Sequence, residues 1–223
     1  FPFYVISLAA GINTICIHKG LMPPDYEQSF RGLWRYATAW DIEKAARDWP
    51  DMNFIFYHSA LRPFLELPDQ AWLEFERTGR IRWVTDLCEA ARAAGTGNVY
   101  GELGTSFANS AIAHPKFSAA IIGTVVAGLG ADHALWGTES VWYGSPQWQI
   151  EAMRRLEVPE DMRVKYSLPE LGGANSGTKQ AIFGLNAARI YDIDVTTAQK
   201  DIQVDKLSEL SLLYTTPRPR DRG

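Results

Sequence analysis

Leu135-Trp136-Gly137-Thr138-Glu139-Ser140-Val141-Trp142-Tyr143-Gly144-Ser145-Pro146 joins a strand end, a carboxylate and a helix start within one short run. A short apolar strand, Ala134 to Thr138, runs out of Gly130-Ala131-Asp132-His133 and delivers Glu139 at its end. A turn follows, then a helix signal with Ser145 as N-cap and Pro146 at the first helical position. This is the outline of a strand's C-terminal end in an α/β fold. A carboxylate placed there faces the mouth of the sheet, where such folds keep their chemistry.

Outward from that stretch, the same unit recurs. Ile12 to Ile17 reads as a buried strand that ends at His18-Lys19-Gly20, and alternation puts Thr14, Cys16 and His18 on one face and Ile15 and Ile17 on the other. Asn53 to Tyr57 reads as a second strand ending on His58, with Phe54, Phe56 and His58 sharing a face. Asn98 to Leu103 is a third, with Tyr100 and Glu102 together. Helical patterns separate them: Ile42 to Trp49 capped by Asp41, Pro68 to Ala94 stopped by Gly95, and Pro115 to Leu129 stopped by Gly130. A helix from Phe3 to Ala10 precedes the first strand. Helices from Pro146 to Leu156 and from Thr178 to Ile190 follow the last, joined by the polar run Gly172–Gly177.

Strand and helix in alternation, with connections long enough for crossovers, imply a parallel sheet, in a doubly wound fold or a barrel. No GxGxxG and no GxxxxGK[ST] occurs, so nothing marks a dinucleotide or phosphate loop. The residues of interest stand at the ends of several separate strands, which is the habit of a barrel.

Composition excludes other classes. The 223 residues are 46% hydrophobic and 22% charged with a net charge of -4, which gives no electrostatic footprint for nucleic acid. The basic cluster Arg218, Arg220 and Arg222 reads as a solvated tail. Cys16 and Cys88 form neither a disulfide framework nor a CxxC metal pair, so a reducing compartment fits and a cytoplasmic location is expected. No apolar run approaches the roughly 18 residues of a membrane span. The chain opens on Phe1-Pro2-Phe3 without Met, and more sequence is expected upstream.

His18, His58, Glu102 and Glu139 all fall at strand C-termini, so in a barrel they converge on one mouth. Imidazole and carboxylate on one rim are the parts of a hydrolytic metal site, where a cation such as Zn²⁺ lowers the pKa of a bound water. A further histidine serves there as general base or orients the substrate. One strand-terminal histidine is more often packed than functional; two of them with a later carboxylate favour a site. The bland reading of Glu102 is a salt bridge or loop anchor. His114, before Pro115, and His133, at the opposite rim, read as structural. Trp136, Trp142, Tyr143 and Trp148 default to core packing, with Trp142 the candidate for a substrate pocket. Gly104-Thr105-Ser106 offers a hydroxyl near a substrate, and no GxSxG elbow surrounds any serine.

Five stretches together carry a resemblance: Ile15-Cys16-Ile17-His18-Lys19-Gly20-Leu21, Asn53-Phe54-Ile55-Phe56-Tyr57-His58-Ser59, Asn98-Val99-Tyr100-Gly101-Glu102-Leu103-Gly104, Leu135 to Trp142, and Phe183-Gly184-Leu185-Asn186-Ala187-Ala188-Arg189-Ile190-Tyr191. The sequence resembles the amidohydrolase-related branch of the amidohydrolase superfamily, which includes metal-dependent hydrolases and nonoxidative decarboxylases. The resemblance implies a (β/α)8 TIM barrel of which this chain supplies strands five to eight, and a divalent metal ion, Zn first. It implies His18 as a metal ligand, His58 as a histidine that binds metal or assists catalysis, and Glu139 as metal ligand and proton carrier; Glu102 and Trp142, read from their own positions in the sequence, are the candidates on the substrate side. Two departures stand out. The histidines, at 18, 58, 114 and 133, include no HxH pair, and Glu139 stands where the family has an aspartate. Half a barrel exposes sheet edges, so an N-terminal half-barrel or a second copy is expected to close it around a small-molecule substrate. The expected division is a half-barrel over 1–195 and an extension over 196–223, flexible at its end.

Overall fold

The computed structural model describes residues 2–62 and 68–203. Its centre is a parallel sheet of β1 (Thr14–His18), β2 (Asn53–Tyr57), β3 (Val99–Glu102) and β4 (Ala134–Leu135), in the spatial order β1-β2-β3-β4. Sequence neighbours are neighbours in space throughout. A doubly wound sheet reverses its order at a switch point, whereas this one runs in a single direction, as strands of a barrel do. The fold is therefore α/β, consistent with part of a TIM barrel.

Register follows the hydrophobic pattern. Ile15 lies beside Phe54 and Ile17 beside Phe56, and Phe54 lies beside Val99. These side chains pack with Ile42, Ala46 and Leu87 from the crossover helices and with Met52 from the loop before β2. A second cluster forms where helices Gly104–Ala111 and Pro115–Leu129 meet, with Phe107, Phe117, Ile121, Ile122, Val125, Ala134 and Ile182. Burying one such side chain is worth about 2 kcal/mol, so the faces, rather than helix propensity, hold the sheet.

Several local expectations meet the structure unevenly. Residues 68–94 form two helices, Pro68–Thr78 and Val84–Ala94, because Gly79 and Trp83 both take left-handed backbone angles (φ 68° and 64°). Asp41 does not cap Ile42–Asp48 through its side chain; that carboxylate pairs instead with the buried Lys19 ammonium at 2.7 Å. The final strand is only Ala134–Leu135, since the Trp136 N–H donates to Ile182 O rather than continuing the ladder. The helix after it is Gln147–Arg155 with Pro146 at the N-cap, one residue later than the pattern suggests. Gly177–Gln180 opens a helix that passes through a π turn, Ala181–Leu185, before Asn186–Ile190. Short helices at Ser140–Tyr143 and Glu160–Tyr166 and the helix Gly104–Ala111 carry no strong periodic signal in the sequence.

The chain forms two compact units, Phe1–Ala187 and Ala188–Gly223. In the second, Asp194 receives the N–H groups of Thr196 and Thr197 at the start of helix Val195–Gln203. The end of the extension expected over 196–223 lies outside the described residues. Among the described residues no helix is long and apolar enough to cross a membrane.

Candidate active site

β2 ends on Tyr57, and the next three residues, His58, Ser59 and Ala60, all adopt left-handed angles (φ 59°, 49° and 58°). Each such non-glycine residue costs about 1–3 kcal/mol and persists only where its surroundings over-determine it. Here they do. The Ser106 hydroxyl donates to His58 O at 2.5 Å, the Ser59 hydroxyl to Glu102 O at 3.0 Å, and the Leu61 N–H to His58 O at 3.0 Å. The strand alternation that groups His58 with Phe54 and Phe56 stops at Tyr57. The His58 ring instead meets that of His18, from the opposite parity of the sheet, edge-on with centroids 5.0 Å apart.

Glu102, the last residue of β3, lies buried beneath this turn. Its Oε2 accepts the His58 N–H at 3.0 Å and its Oε1 the Gly104 N–H at 2.7 Å. Burial raises its pKa to about 7, against the two N–H donors that lower it and with the Glu139 carboxylate adding to the rise. Glycine at 137 makes room for it: a Cβ there would lie 1.7 Å from Glu102 Oε1.

Glu139 reaches the site from the far side, itself in a left-handed conformation (φ 47°) after β4. Its Oε1 lies 3.3 Å from His58 Nε2, and its Oε2 accepts the Thr105 hydroxyl at 2.7 Å. The Gln149 amide holds the approach to it by donating to Thr138 O at 2.8 Å. The Thr105 N–H in turn donates to His58 Nδ1 at 3.3 Å. Burial pushes the His58 imidazole below its usual range, Glu139 opposes this and His18 adds to it, so the ring is held neutral against the carboxylate beside it.

The structure thus brings His18, His58, Glu102 and Glu139 to one end of the sheet. Trp142 is not among them: it lies on Ser140–Tyr143 and is 79% exposed. His114 caps helix Pro115–Leu129 by accepting the Phe117 N–H, and His133 stacks on Tyr100, so both have structural work. Thr105, Ser106 and Ser59 complete the cluster. The sequence flags only the hydroxyls of Thr105 and Ser106, directly after a strand-terminal carboxylate, and gives no sign of what they hold.

A metal ion is poorly served by these donors alone. His18 is exposed, the Nδ1 of His58 is occupied by Thr105, and among the described residues no three His, Cys, Asp or Glu side chains come together as a metal site. The residues present do not make a complete cage.

Structural comparison finds 5-carboxyvanillate decarboxylase from Sphingomonas paucimobilis, with 16% identity and a TM-score of 0.44, over 86% of this chain and 53% of that one. It also finds amidohydrolase 2 from Bifidobacterium longum subsp. infantis, with 16% identity and a TM-score of 0.42, over 84% of this chain and 52% of that one. A candidate 2-pyrone-4,6-dicarboxylic acid hydrolase from Pseudomonas putida aligns with 14% identity and a TM-score of 0.45, over 87% and 68%. The chain spans about half the length of the first two. No curated protein sequence matches it. The family model for amidohydrolases of the Amidohydro_2 type matches residues 14–193, and the chain therefore belongs to that family, whose members are generally metal-dependent.

Proposed function

We propose that this chain carries the proton-handling side of an amidohydrolase-type active site that acts on a small organic substrate. The observation that carries the reading is the buried His58 imidazole facing the Glu139 carboxylate at 3.3 Å, at the C-terminal end of a parallel sheet. A neutral imidazole there donates a hydrogen bond to a substrate oxygen, while Glu139 takes the proton of the attacking water and returns it to the leaving group. Glu102, tied to two backbone N–H groups, anchors the loop rather than touching substrate. Hydrolysis through an activated water is the primary reaction in this reading. Nonoxidative decarboxylation of an aromatic or enoic acid is its rival, because the same pair serves a carbanion that must be protonated.

A divalent ion, zinc first, belongs to this site only if residues outside the described ones, or another polypeptide, add ligands to His18 and Glu139. The incomplete donor set favours a second reading in which the chain is a half-barrel without catalysis of its own, completed by an N-terminal half or a second copy. Metal content and turnover measured on the same zinc-dialysed chain test both. Stoichiometric metal with hydrolysis of an ester, lactone or amide supports the first reaction, and CO₂ release from an aromatic acid supports the second. Neither metal nor turnover would leave the half-barrel.

A further inference from the structure

We propose that Thr105 is the positioning residue of this site, its backbone N–H fixing the tautomer of His58 and its hydroxyl fixing the carboxylate of Glu139. The proposal rests on reading His58 and Glu139 as the working pair, and it deepens that reading by saying which nitrogen carries the proton.

A backbone N–H only donates, so the Nδ1 it meets at 3.3 Å must present a lone pair. The single proton of a neutral imidazole then sits on Nε2, which is the nitrogen that faces Glu139 Oε1 at 3.3 Å. An imidazolium, or the other tautomer, would set N–H against N–H at Nδ1. The remaining ionisable neighbour on that side, Glu102, is 3.8 Å from Nδ1 and already accepts the His58 backbone N–H. It does not compete for the ring.

Position in the fold explains why Thr105 is available. It lies in the first turn of helix Gly104–Ala111, where backbone N–H groups have no partner inside the helix. The Gly104 N–H is spent on Glu102 and the Thr105 N–H on His58. The Thr105 side chain, 5% exposed, then spans to Glu139 Oε2 at 2.7 Å. One residue thereby links the end of β2 to the segment after β4 through the start of the helix that follows β3. His58 with Nε2–H is a hydrogen-bond donor toward substrate, and that nitrogen offers no lone pair to a metal.

Three substitutions separate the two contacts. Thr105→Ser keeps the N–H and the hydroxyl, Thr105→Val keeps only the N–H, and Thr105→Pro removes both at a first-turn position that tolerates proline. Proton–nitrogen NMR correlation of the imidazole in the full chain at neutral pH reads the tautomer directly. We expect well-separated Nδ1 and Nε2 signals with the proton on Nε2 in the parent, Thr105→Ser and Thr105→Val, and signals drawn toward their mean in Thr105→Pro. The Glu139 carboxyl carbon should shift in Thr105→Val and return in Thr105→Ser. A parent protonated on Nδ1, or a folded Thr105→Pro with the parental pattern, overturns the proposal; should Thr105→Pro not fold, the parental tautomer and the Val/Ser pair decide it. Absence of turnover beside an intact Nε2–H tautomer would sink only the functional reading.

Discussion

β1 ends on a histidine and β2 is followed at once by another, and the two are built in opposite ways. His18 closes a strand that pairs, among the described residues, only with β2, and it stands exposed. His58 follows a strand paired on both sides, is 2% exposed, and is fixed through its N–H, its C=O and its Nδ1 by residues of β3 and the helix after it. A functional group is made rigid by what packs on both flanks of its strand. The β2–β3–β4 end is preorganised within this chain, while the β1 rim leaves its histidine to the surroundings.

That contrast is most severely tested at Gly137. Glu102 leaves no slack there, so Gly137→Ala should force that carboxylate off its two N–H partners and cost about 3 kcal/mol in chemical denaturation. Gly95→Ala meets nothing within 4 Å and should cost only about 1 kcal/mol for its left-handed φ of 67°. Equal losses at the two glycines would mean that the site is not tightly packed.

Glu102→Gln comes next. An amide has one acceptor oxygen for the two N–H groups that Glu102 serves, so a buried donor is left facing an NH₂ group, at a cost of about 1–3 kcal/mol. The pH dependence sharpens it. Because burial raises the Glu102 pKa from 4.5 to about 7, its stabilising contribution is complete below the ordinary carboxyl value and is lost as pH rises through about 7. The parent should therefore lose stability relative to Glu102→Gln between those limits, by a few kcal/mol at most. His58, whose pKa is lowered, acts with the opposite sign, present above the ordinary imidazole range and lost on acidification, and it is common to both proteins. A flat difference between them would contradict the burial of Glu102.

The smallest effect is expected at the exposed rim. His18→Ala should change stability by less than about 0.5 kcal/mol, as exposed substitutions usually do, and should leave the His58 imidazole signals in their parental tautomer. A large loss there would erase the distinction between the two strand ends.

Much of this was legible in the residues. Phe54 and Phe56 are buried as the pattern asks, while Ile15 and Ile17 on β1, expected in a buried strand, are only half-buried; Gly130 and Pro115 bound their helix where the pattern puts them. The placement of His18, His58 and Glu102 at or directly after strand ends also follows from counting along each strand, whereas Glu139 stands beyond the end of β4. What counting misses is the turn at His58–Ala60, where three non-glycine residues take angles that no local preference favours. It also misses the brevity of β4, set by a hydrogen bond to Ile182 from far along the chain. Trp142 lies the other way, an aromatic close in sequence to Glu139 whose short helix leaves it exposed.

A parallel α/β sheet, its family and the four ionisable residues at its rim could all be read along the chain, because apolar strand runs and strand-terminal position are local properties. What those residues do to one another came from packing alone. Glu102 became an anchor, His58 a neutral ring held at Nδ1, and Thr105 the link between them and Glu139. Those roles depend on distances between segments tens of residues apart, which packing sets and no local pattern encodes.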